Sequence, residues 1–172
     1  DDEILQAMRR GYSADSYRTL IHRIRERIPG VSIATDIIVG FPGETEAQFC
    51  KTYDLLKELR MDVAHLARYS PRTGTFSARK MEDNVSEAEK MRRFRLLEAL
   101  QEEIAAEINS RLMDQTVMVL IEEKSRGRWR GRTRTNKLVF VESEENLLGQ
   151  ERKVRITWTG PWSLIGELPQ TE

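Results

Sequence analysis

The hydrophobic pattern of this 172-residue chain changes its period once, and that change constrains the fold more than any other feature. Up to about Leu112, apolar side chains recur at helical spacing or form short runs between helices, which is typical of α/β structure. From Thr116 onward there are only short runs typical of β-strands, separated by turn residues. The sequence therefore predicts an α/β region followed by an all-β region.

The α/β region begins with a helix and a strand. Ser13 is a candidate N-cap for a helix that ends at the Pro29-Gly30 turn. The following run, 31–39, is short and β-branched, and its nearly continuous apolar half predicts a parallel, interior strand covered on both faces. A carboxylate inside such a strand is costly unless it is paired or used, which makes Asp36 a candidate functional residue.

A strand–helix–strand unit follows from the next signals. The turn at 40–43 leads into a capping box formed by Thr45 and Gln48, then a helix and a second strand at 63–69. Such a unit is nearly always right-handed, but two strands cannot close a barrel. Glycines at the carboxyl end of a parallel strand let a ligand approach the backbone, although a tight turn without a ligand explains them equally well. Residues 70–85 predict a connecting loop.

A long helix and a small barrel complete the predicted fold. Ser86 and Glu89 suggest another capping box, and an uninterrupted amphipathic pattern predicts one helix over 86–112. The predicted organisation is therefore an α/β region at 1–85, a linking helix at 86–112 and a barrel domain at 113–172. Five short β-like runs predict an OB-like barrel, at 116–122, 127–133, 137–141, 152–157 and 163–167.

The segment 124–137 contains seven basic residues and no acidic one, although the whole chain balances 28 Lys and Arg against 28 Asp and Glu. In an extended strand, alternate side chains lie on one face about 6.6 Å apart. Guanidinium groups repeated at this spacing repel one another, and a polyanion such as RNA relieves that repulsion. The candidate RNA-binding residues are Arg126, Arg128, Arg130, Arg132, Arg134 and Lys137.

Two questions about this segment stay open at the sequence level. Trp129 could stack on a base, but a Trp in a small barrel is more often part of the core. The competing interpretation of the arginines is a solvated hairpin in which they pair with nearby acidic residues, namely Glu122, Glu123, Glu142, Glu144 and Glu145.

Several classes of protein and site are disfavoured. The single cysteine, Cys50, cannot form an intramolecular disulfide, a zinc site with other thiolates or an iron–sulfur cluster, and its helical context predicts a partly buried small side chain. No Walker A loop, Gly-x-Ser-x-Gly elbow or His-Glu-x-x-His motif occurs, which disfavours nucleotide hydrolases, serine hydrolases and zinc proteases. We predict no metal ligand and no catalytic residue in this chain. No apolar run approaches the roughly 18–20 residues that span a bilayer, and the acidic start is unlike a signal peptide, so a cytoplasmic setting without a membrane partner is expected.

The chain resembles radical S-adenosylmethionine methylthiotransferases over essentially its whole length. The resemblance implies an N-terminal domain with an auxiliary cluster, a partial α/β barrel with a second cluster, and a C-terminal TRAM domain that binds tRNA. This chain resembles only the last part of the barrel, a linking helix and the TRAM domain. The segments that support the resemblance are MRRGY at 8–12, TDIIVGFPGET at 35–45, YSPRTGT at 69–75, GRTRTNK at 131–137 and WSLIGEL at 162–168.

The resemblance also implies an activity for the intact parent, which would use two 4Fe–4S clusters and S-adenosylmethionine to place a methylthio group on an isopentenyl-modified adenosine beside the anticodon. Its partners would be the anticodon stem-loop of tRNA and the missing N-terminal portions of the same protein. The near alternatives are the branches that modify a ribosomal protein or threonylcarbamoyladenosine, and a stand-alone RNA-binding module. Because Cys50 matches no cluster ligand, this chain alone is predicted to be inactive.

The same resemblance suggests where the adenosylmethionine pocket lies. It implies that the strand from Asp36 to Gly40 borders this pocket. Ile38 is the candidate contact for adenine, and Arg10 is the candidate partner for the carboxylate of adenosylmethionine or for substrate.

Overall fold

The computed structural model describes residues 1–169, and the chain divides into two compact units, Asp1–Gln101 and a second that begins at Glu102. The first unit contains α1 (Asp2–Ala7), α2 (Ala14–Arg27), β1 (Ala34–Val39), α3 (Glu46–Leu59), β2 (Val63–Arg68) and α4 (Phe76–Lys80). The helix α5 (Glu87–Ser110) begins in the first unit and ends in the second. The second unit contains β3 (Thr116–Ser125), β4 (Arg128–Thr133), β5 (Leu138–Val141), β6 (Glu151–Thr159) and β7 (Leu164–Glu167).

The helix starts predicted from capping residues are confirmed. The Ser13 side chain accepts a hydrogen bond from the backbone N–H of Ser16 at the start of α2. At the start of α3, Thr45 and Gln48 satisfy each other's backbone N–H groups, which is the predicted capping box. Ser86 Oγ accepts from the Glu89 N–H at 3.2 Å and begins α5. Local hydrogen bonding therefore determines where these helices begin.

The predicted parallel strand pair is confirmed, but the prediction that its first strand is interior is wrong. β1 and β2 pair in parallel from Ala34 opposite Val63 to Val39 opposite Arg68. Within residues 1–169, β1 has β2 as its one strand neighbour, so its other edge lacks a strand. Asp36 is exposed and Ile38 is 36% exposed, so the face of β1 that carries them is uncovered, whereas both faces were predicted to be covered.

Two short helices and one side chain differ from the sequence prediction. The predicted loop at 70–85 contains α4, whose N-cap Thr75 accepts from the Ala78 N–H at 3.3 Å. Since the third residue of α4 is Ala78 rather than Glu or Gln, no capping box marked this helix in the sequence. The short α1 also lacked a sequence signal. Cys50 is exposed on α3, which corrects the predicted partial burial.

The second unit is a closed five-stranded barrel in the order β3-β4-β5-β7-β6, which confirms the predicted architecture. All neighbours are antiparallel except β5 and β7, which are parallel. Trp129 is 6% exposed and belongs to the barrel core, so the core interpretation is correct and base stacking is not. Its indole Nε1 donates to the backbone oxygen of Ser143 at 3.2 Å. The other buried core side chains are Val119, Ile121, Val139, Val141, Leu147, Val154, Ile156 and Leu164.

Within residues 1–169, no helix is both long and apolar enough to cross a membrane.

Gly131 allows β3 and β4 to approach closely inside the barrel. A Cβ at this position would lie 2.3 Å from the backbone oxygen of Leu120 and 2.8 Å from Val119 Cγ1. We expect Gly131→Ala to lower the free energy of unfolding of the barrel by about 1–3 kcal/mol, because the backbone cannot move without disturbing the strand pair. Chemical denaturation followed by tryptophan fluorescence measures this loss. The exposed Glu144→Ala in the same unit is expected to change stability by less than about 0.5 kcal/mol, and equal losses would contradict the packing argument.

Candidate nucleic-acid interface and adjoining cavities

The outer face of β4 presents the arginine row, which we define as Arg128, Arg130 and Arg132. Their side chains are 50%, 39% and 40% exposed. The intervening side chains are turned inward and buried, so the predicted alternation is correct within the strand. The inward-facing residues are Trp129, Gly131 and Thr133.

The row is shorter than the five arginines predicted from sequence. Arg126 lies in the turn before β4 with φ of 51°, and Arg134 lies in the turn after it. Lys137 precedes β5, and its backbone N–H donates to Thr133 Oγ1 at 3.0 Å. The period of two therefore applies to the three strand arginines. The turn between β3 and β4 redirects the chain before Arg128, and the turn between β4 and β5 redirects it after Thr133.

Each arginine of the row pairs with a glutamate, as the competing interpretation of this segment proposed. Arg128 Nε lies 2.8 Å from Glu142 Oε1, and Arg130 Nη2 lies 2.8 Å from Glu123 Oε1. Arg132 Nε is 3.9 Å from Glu122 Oε2. A β-bulge supports this arrangement, since the pairing advances from Ile121 to Glu123 on β3 over one residue of β4 and leaves Glu122 as the extra residue.

The residues predicted near adenosylmethionine only partly come together. Arg10, Asp36 and Ile38 all line a cavity of about 150 Å³ in the first unit, formed by α1, α2, β1 and α3. The lining of this cavity is mainly apolar, with a few carboxylates. Asp36 is exposed within β1, so the burial cost that marked it as a functional candidate is absent. Three of the four residues therefore share one cavity.

Gly40, the fourth, lies in a turn that packs against Lys90, a contact that the sequence did not indicate. Its φ is 72°, and a Cβ there would lie 2.3 Å from Lys90 Cγ. The space that a ligand was expected to enter is therefore filled by the stem of Lys90. That lysine is 1% exposed, and its Nζ binds Asp83 at 2.7 Å and Glu87 at 2.9 Å. The tight-turn alternative explains this glycine.

A second cavity of about 550 Å³ lies at the carboxyl ends of β1 and β2, and we call it the arginine cavity. Arg10 and Ile38 line it as well as the first cavity. Its other arginines, Arg9, Arg68 and Arg72, were not predicted as site residues. The sequence did contain a signal, because polar residues follow β2 at the same sheet edge as the turn after β1, where open α/β sheets bind ligands.

A buried ion pair fixes the loop at this sheet edge. Glu44 Oε2 accepts from the Gly40 N–H at 2.7 Å and from Arg93 Nη1 at 2.8 Å. Arg93 also donates from Nε to Glu89 at 2.7 Å, which connects the loop to α5. Hydrogen bonds from Arg92, with a further contribution from Arg93, lower the pKa of Glu89 from 4.5 to about 2. The carboxylate form of Glu89 is thus stabilised in the folded chain.

This lowered pKa predicts a pH dependence of stability. A carboxyl whose pKa is lower in the folded state contributes stability above its unfolded pKa and loses it as pH falls from about 4.5 toward about 2. We expect Glu89→Gln to destabilise the chain at neutral pH and to flatten the dependence of unfolding free energy on pH in this window. Chemical denaturation at a series of pH values measures both effects. Glu98→Gln on the exposed side of α5 is the control, and an identical flattening there would refute the assignment to Glu89.

The barrel and its basic strand define a small β-barrel domain of the TRAM class, and residues 112–168 match the TRAM domain family model. Over its whole length, the chain is homologous to tRNA-2-methylthio-N(6)-dimethylallyladenosine synthases, which confirms the resemblance to methylthiotransferases. The relative from Roseiflexus sp. is 49% identical over 100% of this chain and 37% of its own length, and that from Chloroflexus aurantiacus is 50% identical over 99% and 37%. The relative from Dehalococcoides mccartyi is 47% identical over 98% of this chain and 40% of its own length.

The chain thus spans about two fifths of the length of these relatives. A crystal structure of a multidomain protein with nucleic acid binding domains from Streptococcus pneumoniae is 17% identical. The match covers 36% of this chain and 24% of the other chain, with a TM-score of 0.30. This likeness is too weak to define the fold.

The described residues do not fit an iron–sulfur cluster. Within residues 1–169, no group of three or more His, Cys, Asp or Glu side chains is arranged to hold a metal ion. Cluster iron is usually bound by several thiolates, whereas the sequence contains Cys50 alone.

Proposed function

We infer that this chain is part of a tRNA methylthiotransferase and that its TRAM domain binds the phosphate backbone of tRNA through the arginine row. The observation that carries this proposal is the row itself, three arginine side chains, each 39–50% exposed, on alternate residues of one strand in a domain of the TRAM family. The names of the relatives supply the substrate class, a tRNA that contains N6-dimethylallyladenosine. The same names favour this branch over those that modify a ribosomal protein or threonylcarbamoyladenosine.

The ion pairs of the row are compatible with RNA binding. Exposed pairs of this kind contribute roughly 0–1 kcal/mol each, so exchanging a carboxylate partner for a phosphate costs little. Phosphate contacts also release condensed counterions from the nucleic acid, which favours binding at low salt. The glutamates therefore lower the net charge of the row, but a phosphate can displace them. The affinity for RNA should depend on the salt concentration.

For the intact parent we propose the activity that the relatives' names describe. It replaces a hydrogen on the adenine ring with a methylthio group, a reaction that needs S-adenosylmethionine and, by family resemblance, two 4Fe–4S clusters. Arg10, Asp36 and Ile38, which line one cavity, would form part of an adenosylmethionine site, while the clusters would need thiolates from outside this chain. The anticodon stem-loop is the substrate region, and the cytoplasm is the compartment where such tRNA is found.

Replacing the arginine row with alanine is expected to weaken tRNA binding. For every phosphate that the triple variant Arg128→Ala/Arg130→Ala/Arg132→Ala no longer binds, the slope of log affinity against log salt should fall by about 0.7–0.9. Fluorescence anisotropy with labelled tRNA across a salt series measures this change. Unchanged affinity and slope in the triple variant would remove the row from the interface.

Two sets of control variants separate the row from general charge effects. The triple variant Glu122→Gln/Glu123→Gln/Glu142→Gln releases the arginines from their partners and is expected to tighten binding. Arg111→Ala removes an exposed, ion-paired arginine that follows α5 and is expected to leave the affinity nearly unchanged. Weakening by the glutamine variants would contradict the exchange of carboxylates for phosphates.

The chain alone is expected to lack methylthio transfer, because it cannot hold the required clusters. Incubation with isopentenylated tRNA, S-adenosylmethionine, a reductant and cluster-reconstitution reagents should leave the nucleosides unmodified when they are analysed by mass spectrometry. Formation of a methylthio nucleoside by this chain would overturn the assignment of the clusters to other segments.

A further inference from the structure

We propose that the arginine cavity binds a phosphate of a single-stranded RNA segment, so that the first unit has an RNA contact of its own. The inference deepens the proposed function and rests on it, since it names a second contact with the same substrate class. Four arginines line the cavity, namely Arg9, Arg10, Arg68 and Arg72. Among the residues that the structure describes, no Asp or Glu lines it.

The positive charge of the cavity is largely uncompensated. Within residues 1–169, the side chains of Arg9, Arg10 and Arg72 form no ion pair, and Arg68 pairs with the exposed Glu87 at 3.1 Å. The arginine row of the barrel differs, because each of its members has a glutamate partner. Guanidinium groups held together without carboxylates repel one another, and an oxyanion relieves that repulsion. The cavity therefore favours an anionic ligand.

The end of α1 fixes two of the arginines. The Arg9 N–H donates to the Gln6 oxygen at 2.9 Å and the Arg10 N–H donates to the Leu5 oxygen at 2.8 Å, which is the hydrogen-bond pattern of a Schellman motif. Arg9 has a φ of 59° at the position where glycine is the usual residue. Its guanidinium stacks on the Phe76 ring, 4.1 Å from the centroid. Backbone and ring together hold this charge in the cavity wall.

The size and walls of the cavity fit a nucleotide better than a small inorganic anion. Its volume of about 550 Å³ lies within the range of roughly 300–1,000 Å³ that is usual for ligand pockets. Phe41 and Tyr69 form a buried edge-to-face pair with centroids 5.2 Å apart that supports the cavity wall, and Phe76, which is 42% exposed, is the aromatic ring accessible to a base. Single-stranded RNA is typically bound by aromatic rings and guanidinium planes beside its phosphates.

The oxyanion could in principle come from an RNA phosphate or from the carboxylate of S-adenosylmethionine. Electrostatics favours the phosphate. S-Adenosylmethionine has a sulfonium and an ammonium group in addition to its carboxylate, so it is a net cation that four arginines repel. An RNA segment is a net anion throughout. The neighbouring cavity, which Asp36 lines, lacks this excess of positive charge.

The test compares binding of a labelled single-stranded oligoadenylate and of S-adenosylmethionine to the full 172-residue chain. We expect Arg9→Gly/Arg72→Ala to weaken oligoadenylate binding about tenfold and to reduce its salt slope by about 0.7 for every phosphate that is no longer bound. Glycine at position 9 keeps the left-handed backbone, so the fold should be retained. Arg72→Lys keeps the charge and should preserve the salt slope. Arg79→Ala on α4, outside the cavity lining, is the matched control and should bind like the wild-type chain.

The same measurements in an Arg128→Ala/Arg130→Ala/Arg132→Ala background separate the cavity from the row. A further weakening caused by Arg9→Gly/Arg72→Ala in that background supports an independent contact in the first unit. Oligoadenylate binding that ignores the cavity variants but falls with the row variants overturns the cavity while leaving the proposed function intact. Reduced affinity for S-adenosylmethionine with unchanged oligoadenylate binding also overturns it, because the oxyanion is then a carboxylate. If neither the row variants nor the cavity variants weaken tRNA binding, the proposed function is refuted.

Discussion

The cavities of the first unit depend on the buried ion pair between Glu44 and Arg93. Both side chains are almost completely buried, and Glu44 also accepts from the Gly40 N–H. Removing one partner of such a pair leaves an uncompensated buried charge, at a cost of about 3–5 kcal/mol. The pair therefore holds the turn after β1 against α5, where Lys90 fills the space beside Gly40. Phe41, the next residue of that turn, forms part of the wall of the arginine cavity.

The two units differ in whether the edges of their strands are paired. The barrel closes on itself, so each of its five strands has a neighbour on both sides. Alternate side chains of β4 point into the barrel and fill its core, so the outer face of the strand is available to polar side chains. β1, in contrast, has β2 as its one strand neighbour within residues 1–169. Its exposed edge and the exposed Ile38 agree with the sequence-based expectation that two parallel strands cannot complete a barrel.

The parts of the fold that could be predicted from sequence depend on local interactions. Capping at Ser13 and Thr45 and the period-two runs of the barrel are set by neighbouring residues, so they were visible without tertiary contacts. The wrong predictions concern positions whose burial is determined by residues that are distant in the sequence. Asp36 was interpreted as buried because its strand is apolar, but burial depends on what covers the strand. For Gly40 a ligand approach and a tight turn were equally compatible with the sequence, and the structure favours the turn because Lys90, a residue of a later helix, fills the space beside it.

The contrast between local and long-range interactions also explains why the candidate site was only partly predicted. It distinguishes the two basic surfaces, the arginine row and the arginine cavity. The sequence indicated the arginine row, yet its neutralisation depends on a bulge that brings both Glu122 and Glu123 to the outer face. The arginine cavity gathers residues from the end of α1 and the segment after β2, which are far apart in the sequence.

The formal net charge of the whole chain is zero, so the proposed binding of RNA must rely on local charge rather than on long-range attraction. A row whose partners are exchangeable suits contact with many phosphates in turn, because each guanidinium can return to its glutamate when a phosphate leaves. A cavity with uncompensated arginines suits one fixed phosphate instead. Such a division would let the barrel hold RNA loosely while the first unit positions a single nucleotide.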